Sequence, residues 1–179
     1  GSGKTTILRL ASGLSYPTKG RVIVNNREVS PGTFGEMPTE VGVLIESPIF
    51  LENLTGFENL NLLSKIKNKI NKNVIYTAIK QVGLNPEDNK KVRQYSLGMK
   101  QRLGIAQAIM EDPSVVLFDE PTNGLDEEGL DLFEQIINDY KAKGTGFIFV
   151  SHRTDEIEKF CDRVFQIEDH TLTLHREKS

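Results

Sequence analysis

The amino-acid sequence predicts an α/β fold with a mainly parallel sheet and an inserted helical subdomain. Short apolar segments typical of strands occur at residues 41–45, 115–118 and 147–150, and helical patterns follow the last two. Between the first two of these strands, residues 55–110 show the apolar spacing of helices. Strands that alternate with helices favour a parallel sheet covered on both faces. The continuous apolar run at 41–45 predicts a strand that is buried on both faces.

The N-terminal elements follow from local patterns. Residues 5–13 have apolar residues at helical spacing, and the glycine that ends the segment is a suitable helix terminus. Two short strands, at residues 22–24 and around Val29, flank Asn25 and Asn26. Because asparagine tolerates the positive φ angles of a tight turn, this segment predicts a β-hairpin.

The middle and the end of the chain complete one predicted domain. A helical subdomain of about residues 51–111 is inserted into a core made of residues 1–50 and 112–179. Thr55 and Glu58 fit a capping box at the start of its first helix. The elements predicted beyond the strand at 115–118 are a helix at 127–143, a strand at 147–150, a short helix at 155–160 and a hairpin at 164–174.

Composition is typical of one soluble globular unit. The 179 residues include 22 basic and 25 acidic residues, a net charge of −3, so no global basic field is available to bind nucleic acid or an anionic membrane. The single cysteine, Cys161, excludes an internal disulfide and a cysteine-cluster metal site, and it suits a reducing, cytosolic compartment. No apolar run approaches the ~18 residues that a membrane span needs.

Charge is distributed unevenly along the chain. The segment 65–93 carries eight basic and two acidic residues, a local +6, whereas the segment 119–139 carries eight acidic residues and no basic one. We interpret the basic segment as the solvated face of a helical region. Contact with lipid headgroups or with a partner is the alternative interpretation.

The first residues match the end of a phosphate-binding loop. The pattern G-x-x-x-x-G-K-[ST] finishes with Gly3, Lys4 and Thr5, so Gly1 stands at its fourth place. We expect the preceding strand to be missing and the isolated chain to be marginally stable or insoluble, and an isolated chain that cannot bind nucleotide or hydrolyse it is the alternative interpretation. In such loops glycines let the backbone approach phosphate oxygens, a lysine supplies positive charge and a threonine hydroxyl binds Mg²⁺. The candidate phosphate-binding residues are Gly1, Ser2, Gly3, Lys4, Thr5 and Thr6.

Two carboxylates follow the apolar run at 115–118. Asp119 is expected at the carboxyl end of a strand, where open α/β sheets bind ligands, and it can hold Mg²⁺ there through water. Glu120 is then a candidate general base, or a residue that orients an attacking water. An ordinary acid at a helix start is the structural alternative, but it does not explain the apolar run that comes first.

A third candidate site precedes the helix predicted near residues 103–110. Ser96 and Gly98 can offer a hydroxyl and an amide N–H to an anion at the start of that helix. A serine in this place is more often only a helix cap. Its position just before the strand that carries the two carboxylates makes an anion site the better interpretation.

Together these motifs resemble an ABC-type ATP-binding cassette, and the resemblance runs through essentially the whole chain. The matching segments are residues 1–6 for the Walker A loop, 96–101 for the signature, 117–120 for Walker B, 124–126 for the D-loop, and Ser151 with His152 for the switch histidine. The resemblance implies a P-loop NTPase core with a small antiparallel β region and a helical subdomain. It also implies that ATP and Mg²⁺ bind, that Glu120 and His152 are catalytic and that Asp126 contacts nucleotide.

Two departures from the family pattern indicate a subfamily. Glu46 stands where the glutamine of the Q-loop is usual, and Leu97 stands where the signature usually has a glycine. Both variants resemble the ATPases of exporters for bacitracin, lantibiotics and similar antimicrobial peptides. By this resemblance Glu46 is a candidate nucleotide contact and, with Thr5 and Asp119, a candidate Mg²⁺ ligand. Its charge repels phosphate and attracts the cation.

The resemblance implies a subunit that hydrolyses ATP to drive a separate integral-membrane permease, from the cytoplasmic face of the cell membrane. Two cassettes are expected to form a head-to-tail dimer, in which Ser96 and Gly98 of one subunit face the nucleotide held by the other. The expected cargo is a peptide antibiotic or a similar compound. An ABC ATPase that acts on nucleic acid or the ribosome is the alternative. However, Lys4 and Ser96 are only 92 positions apart, too few for coiled-coil arms, so no nucleic-acid partner is expected.

Overall fold

The computed structural model describes residues 3–29 and 40–178, so Gly1 and Ser2 lie outside the described residues. Strands and helices alternate in the second half of the chain, and helices fill its middle. In chain order the elements are α1 (Lys4–Ala11), β1 (Ile23–Val24), β2 (Arg27–Glu28), β3 (Val41–Leu44), α2 (Gly56–Lys67), α3 (Lys72–Gln81), a 3₁₀ turn (Val92–Gln94), α4 (Leu97–Ile109), β4 (Val115–Asp119), α5 (Glu127–Ala142), β5 (Gly146–Val150), α6 (Thr154–Phe160), β6 (Arg163–Glu168) and β7 (Thr171–Glu177).

A parallel sheet forms the centre of the fold. Among the described residues it has three strands in the order β3, β4, β5. Val41 pairs with Val115, and Val115 pairs with Gly146, so the strands run side by side in register. Their carboxyl ends meet at one edge, where Asp119 pairs with Val150. The prediction of a mainly parallel sheet is confirmed, and this register brings together the segments that follow the three strands.

Helices cover both faces of the sheet. On one face, Leu8 and Ala11 of α1 are buried against Leu117 of β4 and Val150 of β5. The other face carries the larger core, which includes α4, α5 and an array of aromatic rings. The rings of this array belong to Phe118, Phe133, Phe147, Phe149 and Phe160. The side chains of β4 are therefore buried on both sides, as expected for a central parallel strand.

Strand β3 is less covered than its apolar sequence predicts. Gly42 and Leu44 are buried on the α4 side, but Val41 and Val43 are only half-buried on the α1 side. Gly42 lies so close to α4 that a Cβ atom there would clash with the carbonyl oxygen of Ala108. The prediction of a strand buried on both faces therefore holds for the α4 side alone, because α1 covers β4 and β5 more fully than β3.

The predicted turn and helix cap are present. Asn25 and Asn26 have φ angles of 51° and 61° in the turn between β1 and β2, which pair antiparallel. The hydroxyl of Thr55 accepts the N–H of Glu58, and the Glu58 carboxylate accepts the N–H of Thr55. This capping box starts α2, as its sequence predicts. The C-terminal hairpin is also confirmed, since β6 and β7 pair antiparallel.

One cluster of buried residues runs from α2 and α3 through α4 to β4 and α5. The division of the chain into a core and a helical subdomain therefore stays a prediction. Within residues 3–29 and 40–178, no helix combines the length and the apolar character needed to cross a membrane.

Candidate functional site

A cavity of about 490 Å³ lies at the carboxyl edge of the sheet. It is bounded by the start of α1 and by the segments that follow β3, β4 and β5. Parallel register brings these segments together, although they are far apart in the sequence. The predicted site residues that line the cavity are Gly3, Lys4, Thr5, Thr6, Glu46, Asp119, Glu120 and His152.

The start of α1 forms one wall of the cavity. Gly3 precedes the helix with a φ of 88°, a left-handed conformation that glycine adopts without strain. Gly3 has no side chain with which to cap the helix. Because residues of the first turn line the cavity, the positive end of the helix dipole borders it. Lys4 brings an ammonium group to the same wall. The charge of this wall suits an anion such as a phosphate.

Thr5 and Asp119 join α1 to the end of β4. The Thr5 hydroxyl donates a hydrogen bond of 2.7 Å to Oδ2 of Asp119, which is 8% exposed. A hydroxyl beside a carboxylate is the kind of oxygen donor set that Mg²⁺ prefers. No three His, Cys, Asp or Glu side chains cluster as a metal site in the described part of the chain. A cation held by this pair must therefore take further ligands from water or from a bound phosphate, which is the usual habit of Mg²⁺.

Glu120 follows Asp119 in a conformation that is uncommon for a residue with a side chain. Its φ is 48°, in the left-handed region, and its N–H donates to the carbonyl of Val150 at 2.8 Å. Its Oε1 atom is buried and has no hydrogen-bond partner among the described residues. Nε2 of His152 lies 3.6 Å from that atom, beyond hydrogen-bond length. A buried polar atom without a partner is rare, and this marks Glu120 as a candidate functional residue.

Glu46 reaches the cavity from the segment after β3. It too has a left-handed backbone, with a φ of 62°. Its carboxylate forms a salt bridge of 3.0 Å with Nη1 of Arg9, and both side chains are exposed. Arg9 thus offsets the negative charge that a glutamate brings to the cavity. The role of Glu46 as a ligand of Mg²⁺ or nucleotide stays a prediction.

Ser96 and Gly98 lie outside the cavity. The Ser96 hydroxyl accepts the N–H of Met99 at 3.1 Å and caps α4. Gly98 packs closely on Gly124, since a Cβ atom on Gly98 would come within 2.6 Å of the Gly124 carbonyl oxygen. The structure therefore does not bring these two residues to the cavity wall that Gly3 and Lys4 form in their own chain. That they face a nucleotide held by a second cassette stays a prediction.

Asp126 caps α5 and does not line the cavity. Its carboxylate accepts the N–H of Gly129 at 3.1 Å and pairs with Nη2 of Arg102, a largely buried side chain. The hydrogen bond from Arg102, and after it the hydrogen bond from the Gly129 amide, lower the pKa of Asp126 from its ordinary value. The structure thus shows a link between α4 and α5 at Asp126, and the predicted nucleotide contact stays a prediction.

The cavity wall includes three polar residues that sequence reasoning misses, namely Ser47, Gln101 and Asn123. Nε2 of Gln101 donates to the carbonyl oxygens of Glu120 and Pro121, at 3.3 and 2.8 Å. Gln101 therefore supports the loop that carries Glu120. Gln101 belongs to the segment 96–101, which the sequence already marks as a candidate site. The spacing of apolar residues does not show, however, that the Gln101 side chain reaches the segment after β4.

Comparison with known proteins identifies the family. A family model described as ABC transporter matches residues 1–123, more than half of the chain. The chain belongs to the ABC transporter family. This membership confirms the prediction of an ATP-binding cassette, that is, of an ATPase of the ABC class.

Relatives of this ABC cassette occur in several bacteria. YybJ of Bacillus subtilis, an uncharacterized ABC transporter ATP-binding protein, is 42% identical over 90% of the chain and 73% of its own length. The bacitracin transport ATP-binding protein BcrA of Enterococcus faecalis is 40% identical over 90% of the chain and 53% of its own length. The lantibiotic transport ATP-binding protein SrtF of Streptococcus pyogenes is 34% identical over 99% of the chain and 75% of its own length. The chain thus spans between about half and three quarters of these relatives, and the predicted resemblance to bacitracin and lantibiotic ATPases is confirmed.

A solved ABC structure has the same fold. It is the ATP-binding cassette MJ0796 in a dimeric, post-hydrolysis state bound to ADP and Pi. The TM-score is 0.81 at 24% sequence identity, and the match covers 99% of this chain and 80% of that chain. This likeness confirms the predicted fold, a P-loop NTPase core of the ABC type.

Proposed function

We propose that this ABC cassette binds ATP with Mg²⁺, hydrolyses it and so drives a separate integral-membrane permease. The observation that carries the proposal is the contact between Thr5 and Asp119. It lies in the same cavity as Glu120, whose Oε1 atom has no hydrogen-bond partner in the described part of the chain. The start of α1 offers positive charge to a phosphate, and the carboxylates beside it are available to a cation and to a proton.

Lys4 and the first turn of α1 bind the phosphates of ATP. The helix end and the lysine ammonium supply positive charge where the β- and γ-phosphates bind, and Thr6 stands on the same wall. Gly1 and Ser2 lie outside the described residues, and the sequence pattern alone makes them further candidates for phosphate binding.

Thr5 and Asp119 are the proposed Mg²⁺ ligands, with Glu46 as a third candidate. Their fit to the ion rests on the oxygen donors that meet at 2.7 Å beside the phosphate-binding wall. When bound, Mg²⁺ neutralises part of the phosphate charge. Arg9 holds the Glu46 carboxylate at 3.0 Å, so a contact of Glu46 with the ion requires this salt bridge to weaken.

Glu120 is the proposed general base. In hydrolysis a water oxygen bonds to the γ-phosphorus, and the bond from that phosphorus to the bridging oxygen of ADP breaks. Oε1 of Glu120 takes the proton of this water, a role that typically contributes about 10²–10⁴-fold to a rate. His152, whose Nε2 is 3.6 Å from Oε1, contacts the γ-phosphate.

A second cassette completes the site in this proposal. Ser96 and Gly98 lie outside the cavity of their own chain, with Ser96 at the start of α4. In a head-to-tail dimer, the start of α4 and the segment of Asp126 face the nucleotide of the partner subunit. The start of α4 then offers the γ-phosphate a helix N-terminus, as the start of α1 does in this proposal.

The proposed cargo is a peptide antibiotic or a similar compound, exported through the permease. Relatives named for bacitracin and lantibiotic transport support this proposal. The cassette then works on the cytoplasmic inner face of the membrane, without a nucleic-acid partner. Reconstitution with a candidate permease in lipid vesicles tests the cargo. ATP hydrolysis that rises on addition of bacitracin or a lantibiotic supports the proposal, and hydrolysis that neither peptide changes contradicts it.

Nucleotide binding is tested by Lys4→Ala in the purified protein. Loss of a charge-assisted contact costs about 1.5–3 kcal/mol, so we expect ATP affinity to fall by about 10- to 100-fold in calorimetric titrations with Mg²⁺. Lys19→Ala is the matched control, because Lys19 is an exposed lysine that does not line the cavity. Equal ATP affinities of Lys4→Ala and Lys19→Ala would show that Lys4 does not bind the nucleotide.

A further inference from the structure

Glu156, in the first turn of α6, is a buried carboxylate that the proposed hydrolysis does not use. The residue is 7% exposed, although glutamate is almost never buried without partners. It is not part of the cavity wall. A buried charge of this kind is stable only where several hydrogen bonds satisfy its oxygens.

The two oxygens of Glu156 bind two different loops. The Thr122 hydroxyl, in the loop after β4, donates to Oε1 at 2.5 Å. The Ser151 hydroxyl, in the loop after β5, donates to Oε2 at 2.9 Å. Nε of Arg153 lies 3.1 Å from Oε1 and supplies a counter-charge. The backbone N–H of Arg153 also donates to the Ser151 hydroxyl at 3.1 Å, which fixes that hydroxyl from its other side.

These two loops carry the proposed catalytic groups. Thr122 follows Glu120 by two positions, and Ser151 directly precedes His152. The loops also meet at the hydrogen bond of 2.8 Å from the Glu120 N–H to the Val150 carbonyl. The distance of 3.6 Å between Oε1 of Glu120 and Nε2 of His152 therefore depends on how the two loops are held together.

We propose that Glu156 is a positioning residue that binds the two loops to each other and so sets the distance between Glu120 and His152. It does this without contact to nucleotide, from outside the cavity. The inference rests on the proposed function, since it concerns the geometry of the proposed general base. Both oxygens are required, because each of them accepts a hydroxyl from a different loop.

The charge and the two equivalent oxygens of Glu156 distinguish it from a neutral amide. In Glu156→Gln only one oxygen remains as an acceptor, and the amide nitrogen is a donor. One of the two hydroxyls then loses its acceptor, while Arg153 keeps its ion pair of 2.8 Å with Asp155. That hydroxyl can only accept from the amide nitrogen, so the substitution weakens the link between the loops with little change of side-chain volume.

The first test compares Glu156→Gln with Glu158→Gln, a control on the same helix. Glu158 is exposed and pairs with Arg176 at 3.5 Å. A misplacement of about 1 Å costs about 100-fold in rate, so we expect Glu156→Gln to lower kcat by about 10- to 100-fold. ATP affinity should stay within about threefold of wild type, because the phosphate-binding wall is unchanged. Glu158→Gln should match wild type in both quantities.

A split between kcat and ATP affinity separates positioning from a purely structural role. If Glu156 only stabilised the fold, kcat and the number of ATP-binding sites would fall together with the folded fraction measured by circular dichroism. That parallel fall, or an unchanged kcat, overturns the inference. A wild-type protein that binds ATP without hydrolysing it overturns the proposed function itself, whereas equal kcat values of wild type and Glu156→Gln overturn only the positioning role of Glu156.

The second test removes the two hydroxyls that donate to Glu156, and it applies even where Glu156→Gln does not fold. Thr122→Val and Ser151→Ala each remove one donor and leave the carboxylate in place. Each is expected to lower kcat by about threefold or more with unchanged ATP affinity. In the double variant, the loss of kcat is expected to differ from the product of the two single losses, because both hydroxyls act through Glu156. Wild-type kcat in both single variants overturns the inference.

Discussion

The Thr5 hydroxyl donates a hydrogen bond of 2.7 Å to Oδ2 of Asp119, although the two residues are 114 positions apart in the sequence. One residue lies in the first turn of α1 and the other ends β4. The bond therefore depends on the packing of α1 on the sheet, which buries Leu8 against Leu117. It places a hydroxyl and a carboxylate where a cation that accompanies phosphate can bind both.

Removing the Thr5 hydroxyl is expected to weaken Mg²⁺ binding. In Thr5→Val the side chain keeps its shape and loses its oxygen, whereas Thr5→Ser keeps the oxygen. We expect Thr5→Val to raise the Mg²⁺ concentration for half-maximal ATP hydrolysis by about tenfold or more, the equivalent of one lost charge-assisted contact. Thr5→Ser is the matched control and should stay close to wild type. Titration of the ATPase rate with MgCl₂ measures this, and identical curves for Val and Ser contradict the metal assignment.

Arg9 is expected to protect ATP affinity from the charge of Glu46. The salt bridge of 3.0 Å joins side chains that are 43% and 62% exposed, so its energy is at most about 1 kcal/mol. In Arg9→Ala the carboxylate loses its counter-charge beside the phosphates, and we expect ATP affinity to fall by about two- to fivefold at low salt. The double variant Arg9→Ala with Glu46→Gln should recover that loss. Titration calorimetry at two ionic strengths measures the ATP affinity. If the double variant binds ATP as weakly as Arg9→Ala does, Arg9 does not act by offsetting the charge of Glu46.

The bond from Arg102 to Asp126 is expected to make stability depend on pH. Because the pKa of Asp126 is lowered in the folded protein, its carboxylate stabilises the fold above the unfolded-state pKa of about 3.9. That contribution is lost as the pH falls through the lower, folded-state pKa. We therefore expect Asp126→Asn to be less stable than wild type at pH 7, with a difference that shrinks as the pH falls below about 4. Urea unfolding between pH 7 and pH 3 measures this, and a constant difference rules out the ionic contribution.

Much of the fold and of the cavity can be predicted from local sequence patterns. Apolar runs that alternate with helical patterns predict a parallel sheet, and parallel strands place their carboxyl ends at one edge. Residues at or just beyond the ends of such strands therefore meet, as Asp119, Glu120 and His152 do around the cavity. Thr5 joins them because the phosphate-binding pattern places it at the start of a helix that covers the sheet.

The supporting contacts cannot be predicted in this way, because they depend on distances between elements. Glu156 has the sequence pattern of an ordinary acid in the first turn of a helix, and only the packing of α6 brings it to Thr122. Gln101 reaches the segment after β4 from α4, which packs against β3. The burial of β3 is overpredicted for a related reason, since an apolar run shows which residues can be buried but not how far a helix extends over them.

The rate of ATP hydrolysis by Glu120→Gln, with ATP binding measured on the same sample, tests most directly whether Glu120 is the general base of an ATPase. Oε1 of Glu120 is buried and has no hydrogen-bond partner among residues 3–29 and 40–178, and Gln keeps the size of the side chain while removing the base. Glu52→Gln, at an exposed glutamate outside the cavity, is the control. We predict that Glu120→Gln keeps wild-type ATP affinity and loses about 10²–10⁴-fold of the hydrolysis rate. A hydrolysis rate equal to that of wild type and of Glu52→Gln would contradict the account.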